Sequence, residues 1–272
     1  MSRRPILPAF FLSSALLWGC QSVDTTQGGT VGVDRHQYMA VSSQEVEAGA
    51  KKAYAQMMAE AQKKNVLDRD AAMVARVRGI TQRLIPQTAT FRPDAAKWEW
   101  EVHVISVEEV NAWCMPGGKM AMYTGLIQKL NATDEEIAAV MGHEIAHALR
   151  EHSREQISRQ MGTQMAATIA GALLGMGDLG TSVAGAVADV TINLPKSRTA
   201  EQEADRIGVE LAARAGYDPR AAISLWEKMG KLGGGQPPKF LSTHPSHEDR
   251  IKDLQEYSAK VLPLYQQASA KR

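Results

Sequence analysis

Cysteine is nearly absent: the 272-residue chain has two, Cys20 and Cys114. Cys20 falls in the N-terminal segment, so the body of the chain carries one thiol, read as a buried, inert one. No intramolecular disulfide is expected even in an oxidising compartment. An excess of one charge is also missing. With 31 Lys and Arg against 30 Asp and Glu the net charge is +1, and the basic residues are scattered, which argues against a nucleic-acid partner. No internal repeat is present. The most apolar stretch, Met165 to Val190, is split by Asp178 and closed by Asp189, and its Gly content suits close helix packing or a mobile cover better than a bilayer core. With 44% hydrophobic residues and 22 Gly, the remaining chain has material for one domain.

Residues 1–19 place Arg3 and Arg4 before an apolar run through Phe10, Leu12, Leu16 and Trp18. A basic start and a short apolar core read as a secretory signal, too short for a permanent span. Leu17-Trp18-Gly19-Cys20 resembles a bacterial lipobox, which implies an acylated Cys20 as the mature N-terminus and a membrane anchor. Gln21, rather than Asp, implies sorting to the outer membrane. The alternative is a plain signal peptide and a soluble periplasmic protein. Residues 20–41, rich in Thr, Gly, Gln and Ser without apolar periodicity, are expected to form a lipidated, flexible tether. Residues 42–272 are expected to form the domain.

Helical patterning covers Ser43 to Lys64 and Asp68 to Leu84. Trp98 to Ile105 alternates like a half-buried strand, which leaves His103 on a polar, surface-facing side. Asn111 to Tyr123, interrupted by Pro116-Gly117-Gly118, reads as two short strands around a tight turn. A helix should stop at Gly216 and another should open at Asp218-Pro219. Residues 233–238 read as a flexible loop, followed by a last helix with Ile251, Leu254 and Val261 facing the core.

The chemistry concentrates in His143-Glu144-Ile145-Ala146-His147, an H-E-x-x-H pattern. At about 100° per helical residue the two His fall roughly 40° apart on one face, so both imidazoles can reach one metal. Glu144 beside them is placed to take a proton from water without being a ligand. The helix is well signalled. Thr133 and Glu136 form a capping box, and Ile137, Val140, Met141, Ile145 and Ala148 recur at helical spacing.

A catalytic zinc site normally needs a third protein ligand. Arg150 and Ser153 stand where a metzincin would have Gly and His. His152, about 140° around an extended helix from His147, reads as a solvated surface residue. A better candidate is Ser197-Arg198-Thr199-Ala200-Glu201-Gln202-Glu203-Ala204-Asp205, where Thr199 and Gln202 offer a second capping box. Glu201 and Asp205 stand four apart on one helix face, so one carboxylate can bind metal while the other orients a ligand His. Glu203 competes for the ligand role.

These segments, with Asn111-Ala112-Trp113-Cys114-Met115-Pro116-Gly117-Gly118 and Ser242-Thr243-His244-Pro245, resemble family 48 of the metallopeptidases over roughly Ser42 to Ala259. The resemblance implies an α+β, mostly helical zincin-like (gluzincin) fold with a small sheet. It implies one zinc ion on His143, His147 and Glu201, with Asp205 behind the ligands and Glu144 as general base. It also brings His244 near the metal, either as a donor to the oxyanion or as a fourth ligand that gates the site; the gate is the favoured reading. The expected function is a zinc-dependent endopeptidase of the bacterial cell envelope. Its substrates would be misfolded or misassembled envelope proteins, on the periplasmic side of the outer membrane. The alternative is a zinc-stabilised chaperone or assembly factor with little proteolysis.

Metabolic labelling with palmitate tests the anchor. The wild type should be marked and should fractionate with outer membrane, whereas Cys20→Ser should be unlabelled; unlabelled wild type in the soluble periplasm would leave only the plain signal peptide.

Overall fold

In a computed structural model of the chain, the described residues are 21–173, 183–232, 237–246 and 249–270, without the side chains of 21 and 164–173. Helices α1 (Ser43–Lys63) and α2 (Ala71–Leu84) form where the patterning predicts them. Ser42 and Glu45 close a capping box on α1, and Asp70 caps α2 by accepting from the Met73 amide, so each start satisfies donors that would otherwise be orphaned.

The sheet consists of β3 (Glu101–Ile105), β4 (Ala112–Met115) and β5 (Lys119–Tyr123) in the order β3-β5-β4, with β3 parallel and β4 antiparallel to β5. The strand predicted from Trp98 starts three residues later, because Trp98 and Trp100 fold back on the 3-10 turn Pro93–Lys97 and the Trp100 indole donates to the Ala95 carbonyl. Gly117 and Gly118 turn β4 into β5 at φ +78° and +80°. At Gly118 a Cβ would lie 2.6 Å from the Trp100 ring, so only glycine fits there.

Strand alternation divides the interior. Ala112, Cys114, Met120 and Met122 join a large core with α2 and the central helices, while Trp113, Met115 and Ala121 face a second core beneath α1. That second core is closed by the start of α5 (His152–Leu173), by α6 (Val183–Ala188) and by a π-helical turn, Asp189–Asn193. Among the described residues no helix is long and apolar enough to cross a membrane. The middle of the apolar Met165 to Val190 stretch lies outside them.

Helix α4 (Asp134–Leu149) starts at the predicted Thr133–Glu136 capping box and is buried on every side from Glu136 to Leu149. Against it lies α7 (Arg198–Arg214), with α8 (Ala221–Lys231) and α10 (Arg250–Ser269) packed around the pair. Two glycines set the approach of α4 and α7. A Cβ on Gly142 would stand 2.8 Å from the Gly208 carbonyl oxygen, and one on Gly208 would stand 2.8 Å from the His143 amide nitrogen. Helix α7 is capped by Ser197, not Thr199, and Gly216 ends it at φ +73° as predicted. Asp218 accepts from the Arg220 amide in a turn ahead of α8.

The segment expected to be a flexible tether is instead packed onto the domain from Gln21 onward. Strands β1 (Gln21–Val23) and β2 (Gln37–Met39) pair antiparallel, and Val31, Val33, Gln37 and Met39 are buried. The amides of Thr30 and Val31 donate to the buried Glu210 carboxylate. Polar bonds to buried carboxylates join a few buried apolar side chains, Val31 and Val33 among them, in holding this strap, and hydrophobic periodicity is blind to the polar part.

Gly208→Ala is expected to cost about 1–3 kcal/mol, because backbone rather than a movable side chain meets the new methyl. An unchanged urea midpoint would show that α4 and α7 can separate freely.

Candidate metal centre

Three imidazoles and a carboxylate meet between α4, α7 and the short helix α9 (Lys239–Thr243). One ligand atom from each of His143, His147, Glu201 and His244 lies within 4.8 Å of the others, and all four residues are buried. The Nε2 atoms of His143 and His147 are 3.0 Å apart, and Glu201 Oε1 is 3.3 Å from the His147 Nε2. The predicted H-E-x-x-H face and the first Glu of the downstream segment therefore do converge.

The partner of each Nδ1 fixes which nitrogen carries the proton. His143 Nδ1 donates to Asp205 Oδ1 at 2.9 Å. His244 Nδ1 faces the Phe240 carbonyl at 3.2 Å, with its ring stacked on Phe240 at 4.3 Å. His147 Nδ1 lies 2.8 Å from His152 Nδ1, and His152 Nε2 lies 3.1 Å from Glu203 Oε2. A carboxylate can only accept, so His152 carries its proton on Nε2 and takes that of His147 at Nδ1.

All three Nε2 atoms of the cluster are then lone pairs aimed at one another. Among the described residues, Glu201 Oε1, Glu144 Oε1 and His244 Nε2 are buried without a hydrogen-bond partner. Facing acceptors with no donor between them repel, and a cation is the group that satisfies them all. The donor set fits a metal.

Glu144 stands beside the cluster, 3.3 Å from His244 Nε2, and accepts from the Cys114 amide of β4. Burial pushes its carboxyl above the ordinary range, and the neighbouring His143 and Lys196 only partly oppose it. Lys196 is buried too, and its ammonium donates to the Val190 and Thr191 carbonyls of the π-helical turn. Burial pulls that ammonium below its ordinary value.

Arg250 closes the outer side. It donates to Glu201 Oε2 at 3.0 Å and to Asp205 Oδ1 at 2.7 Å, with its guanidinium 3.3 Å from the Trp226 ring centre. Burial raises the Glu201 carboxyl, but its imidazole neighbours His244 and His143 and the Arg250 guanidinium outweigh it and hold it below its ordinary value.

Several sequence readings need correction. His152 is buried, not solvated. Helix α4 ends at Leu149, and Glu151 adopts a left-handed φ of +49°, so His152 opens a new helix that turns its ring back toward His147. Glu203 is no ligand in this arrangement, being engaged by Arg35, Arg150 and His152. His244 caps the C-terminus of α9, and part of the loop read at 233–238 lies outside the described residues. His103 is half-buried, with Nδ1 against Asp68 and Nε2 against Glu101. Cys114 is buried, as expected, and burial pushes its thiol up. The sequence reading missed Arg250 and Lys196, since no spacing rule links Arg250 to Asp205 45 residues earlier.

An H-E-x-x-H helix whose two imidazoles meet a carboxylate from a neighbouring helix is the ligand arrangement of the metallopeptidase class. The chain belongs to peptidase family M48, whose model matches residues 71–258. It is 39% identical over 175 residues to the mitochondrial metalloendopeptidase OMA1 of Arabidopsis thaliana, covering 64% of this chain and 35% of that protein. It is 27% identical over 263 residues to the metalloprotease YcaL of Escherichia coli, covering 94% of this chain and 98% of that one. With a putative beta-barrel assembly-enhancing protease of Vibrio cholerae it shares 33% over 174 residues, 59% of this chain and 35% of the relative. The chain thus spans about a third of the length of two of these three relatives.

Arg250→Gln should destabilise the metal-free protein by about 3–5 kcal/mol, the cost of leaving buried charges unpaired. The folded Glu201 carboxyl titrates below its ordinary 4.5, so the loss should be full above that pH and shrink as pH falls. Denaturant midpoints measured across pH check both statements.

Proposed function

We propose that this chain is a zinc-dependent endopeptidase of the bacterial cell envelope that degrades misfolded or misassembled proteins. The observation that carries the reading is the set of converging lone pairs with the unpartnered Oε1 of the buried Glu144 beside it. Nitrogen donors with one carboxylate suit zinc, held by His143, His147 and Glu201. When bound, zinc supplies Lewis acidity that acidifies water and polarises a peptide carbonyl. Glu144 takes the proton of the attacking water on Oε1 and delivers it to the leaving amine. Asp205 holds the His143 ring by its Nδ1 proton.

His244 serves as the gate. Its Nε2 lies in the cluster, and a fourth protein donor closes a site that catalysis needs open. Beside it, the Lys196 amide donates to the Thr243 carbonyl at 2.9 Å, a contact that supports a tether for such a gate. The envelope setting rests on the signal-like and lipobox-like N-terminus, and the bacterial one on the likeness to YcaL of Escherichia coli over nearly its whole length. The name of the Vibrio cholerae relative, a putative beta-barrel assembly-enhancing protease, favours a second reading in which the chain acts in assembly.

Proteolysis of an unfolded substrate separates these readings. Glu144→Gln should keep fold and zinc but lose on the order of 10² to 10⁴ in rate. Equal cleavage by both proteins would sink the mechanism, and no cleavage by the zinc-loaded wild type would favour the assembly factor. His244→Ala should raise basal cleavage; a large decrease would assign it to the oxyanion instead.

A further inference from the structure

His143 and His147 are oriented differently. One carboxylate, Asp205, holds the first directly at 2.9 Å. The second is held through a relay: His147 Nδ1 to His152 Nδ1 at 2.8 Å, then His152 Nε2 to Glu203 Oε2 at 3.1 Å. Both relay residues are buried. Glu203 is itself clamped, accepting from Arg150 Nε at 2.9 Å and from Arg35 Nε at 2.6 Å.

Arg35 does not belong to the helices that build the site. It lies on the packed strap of residues 21–41, with Gln37 beside it. Arg35 also pairs with Glu155 at 2.9 Å, and Gln37 donates to Glu155 at 2.7 Å and to the Arg150 carbonyl at 2.8 Å. Arg150 answers by donating to the Thr25 and Thr26 hydroxyls and to the Arg35 carbonyl. One bonded network thus runs from the strap to the back of a ligand ring.

We infer that His152 and Glu203 are positioning residues for His147, and that Arg35 extends their hold into the strap, so that metal binding and strap docking favour one another. The inference rests on the metal-centre reading above. Its physical content is directional: the Glu203 carboxylate fixes the His152 proton on Nε2, which fixes the His147 proton on Nδ1 and presents the Nε2 lone pair to the metal. By linkage, whatever the docked strap adds to metal affinity, the metal adds to strap docking.

The test uses purified full-length protein, stripped of metal and titrated with zinc against a chromogenic chelator. In parallel, hydrogen exchange of the 21–41 amides is followed with and without zinc. His152→Ala and Glu203→Gln should each weaken zinc binding about 10–100-fold, and Arg35→Ala should weaken it in the same direction. Zinc should slow exchange across the strap in the wild type and lose that effect in His152→Ala. A merely structural role would lower the melting temperature of the metal-free protein yet leave the zinc affinity of the folded fraction unchanged, and that result overturns the inference. If His152→Ala does not fold, Arg35→Ala decides, because its side chain is partly exposed: wild-type zinc affinity together with wild-type strap exchange overturns the inference. A wild type that binds no zinc would instead sink the metal-centre reading, and this inference with it.

Discussion

Acceptor atoms that face one another in a protein interior repel, and this chain holds four of them within 4.8 Å. Much of the surrounding structure restrains that repulsion. Each imidazole is tied at its far nitrogen, to Asp205, to His152 or to the Phe240 carbonyl. Glu201 is tied at its second oxygen by Arg250. The backbones of α4 and α7 meet at Gly142 and Gly208, so the helix that brings the carboxylate has no slack to draw it away from the His pair. These restraints set the ligands in place before any metal arrives, which keeps the ordering cost out of metal binding.

The part of this that was legible in the sequence was the part with a period or a motif. The α4 capping box, the spacing of His143 and His147 and the Gly216 stop each follow from one local rule, and each is found where the rule puts it. The two strands around Gly117-Gly118 are equally local. His152 was misplaced because continuing the helical wheel past Leu149 assumes a helix that Glu151 breaks with a left-handed turn. The strap was misread because its anchors are amides and side chains bonded to buried carboxylates far along the chain. Composition registers such a segment as polar and unpatterned, the same signature as a true linker. Arg250 was missed for a related reason, since a buried guanidinium and a solvated one look alike in sequence.

Two cores rather than one give the centre a rigid side and a lighter one. The large core, with α2, α4, α7, α8 and α10 around one sheet face, holds the His pair and Glu201. The smaller core joins α1 to α6 and the π-helical turn. Lys196, just beyond that turn, pairs its ammonium with the turn and its backbone amide with the carbonyl next to His244. The ligand proposed to move therefore touches both sides, its backbone neighbour bonded to Lys196 and its ring stacked on Phe240 of the large core, whereas the ligands proposed to stay belong to the large core alone.

The strap also bears on the order in which the chain can fold. Thr30 bonds to Glu210 across 180 residues and Arg35 to Glu203 across 168. Contacts of such separation close large loops, form late and slow the search. Strap residues are made early but find no partner until residues beyond 200 have emerged, and the cation that neutralises Glu201 and Asp205 comes later still, at residue 250. A partly made chain therefore has the His pair without a paired third carboxylate and without the strap. The restrained geometry of the metal centre therefore assembles only after residue 250 has been made, late in the synthesis of the chain.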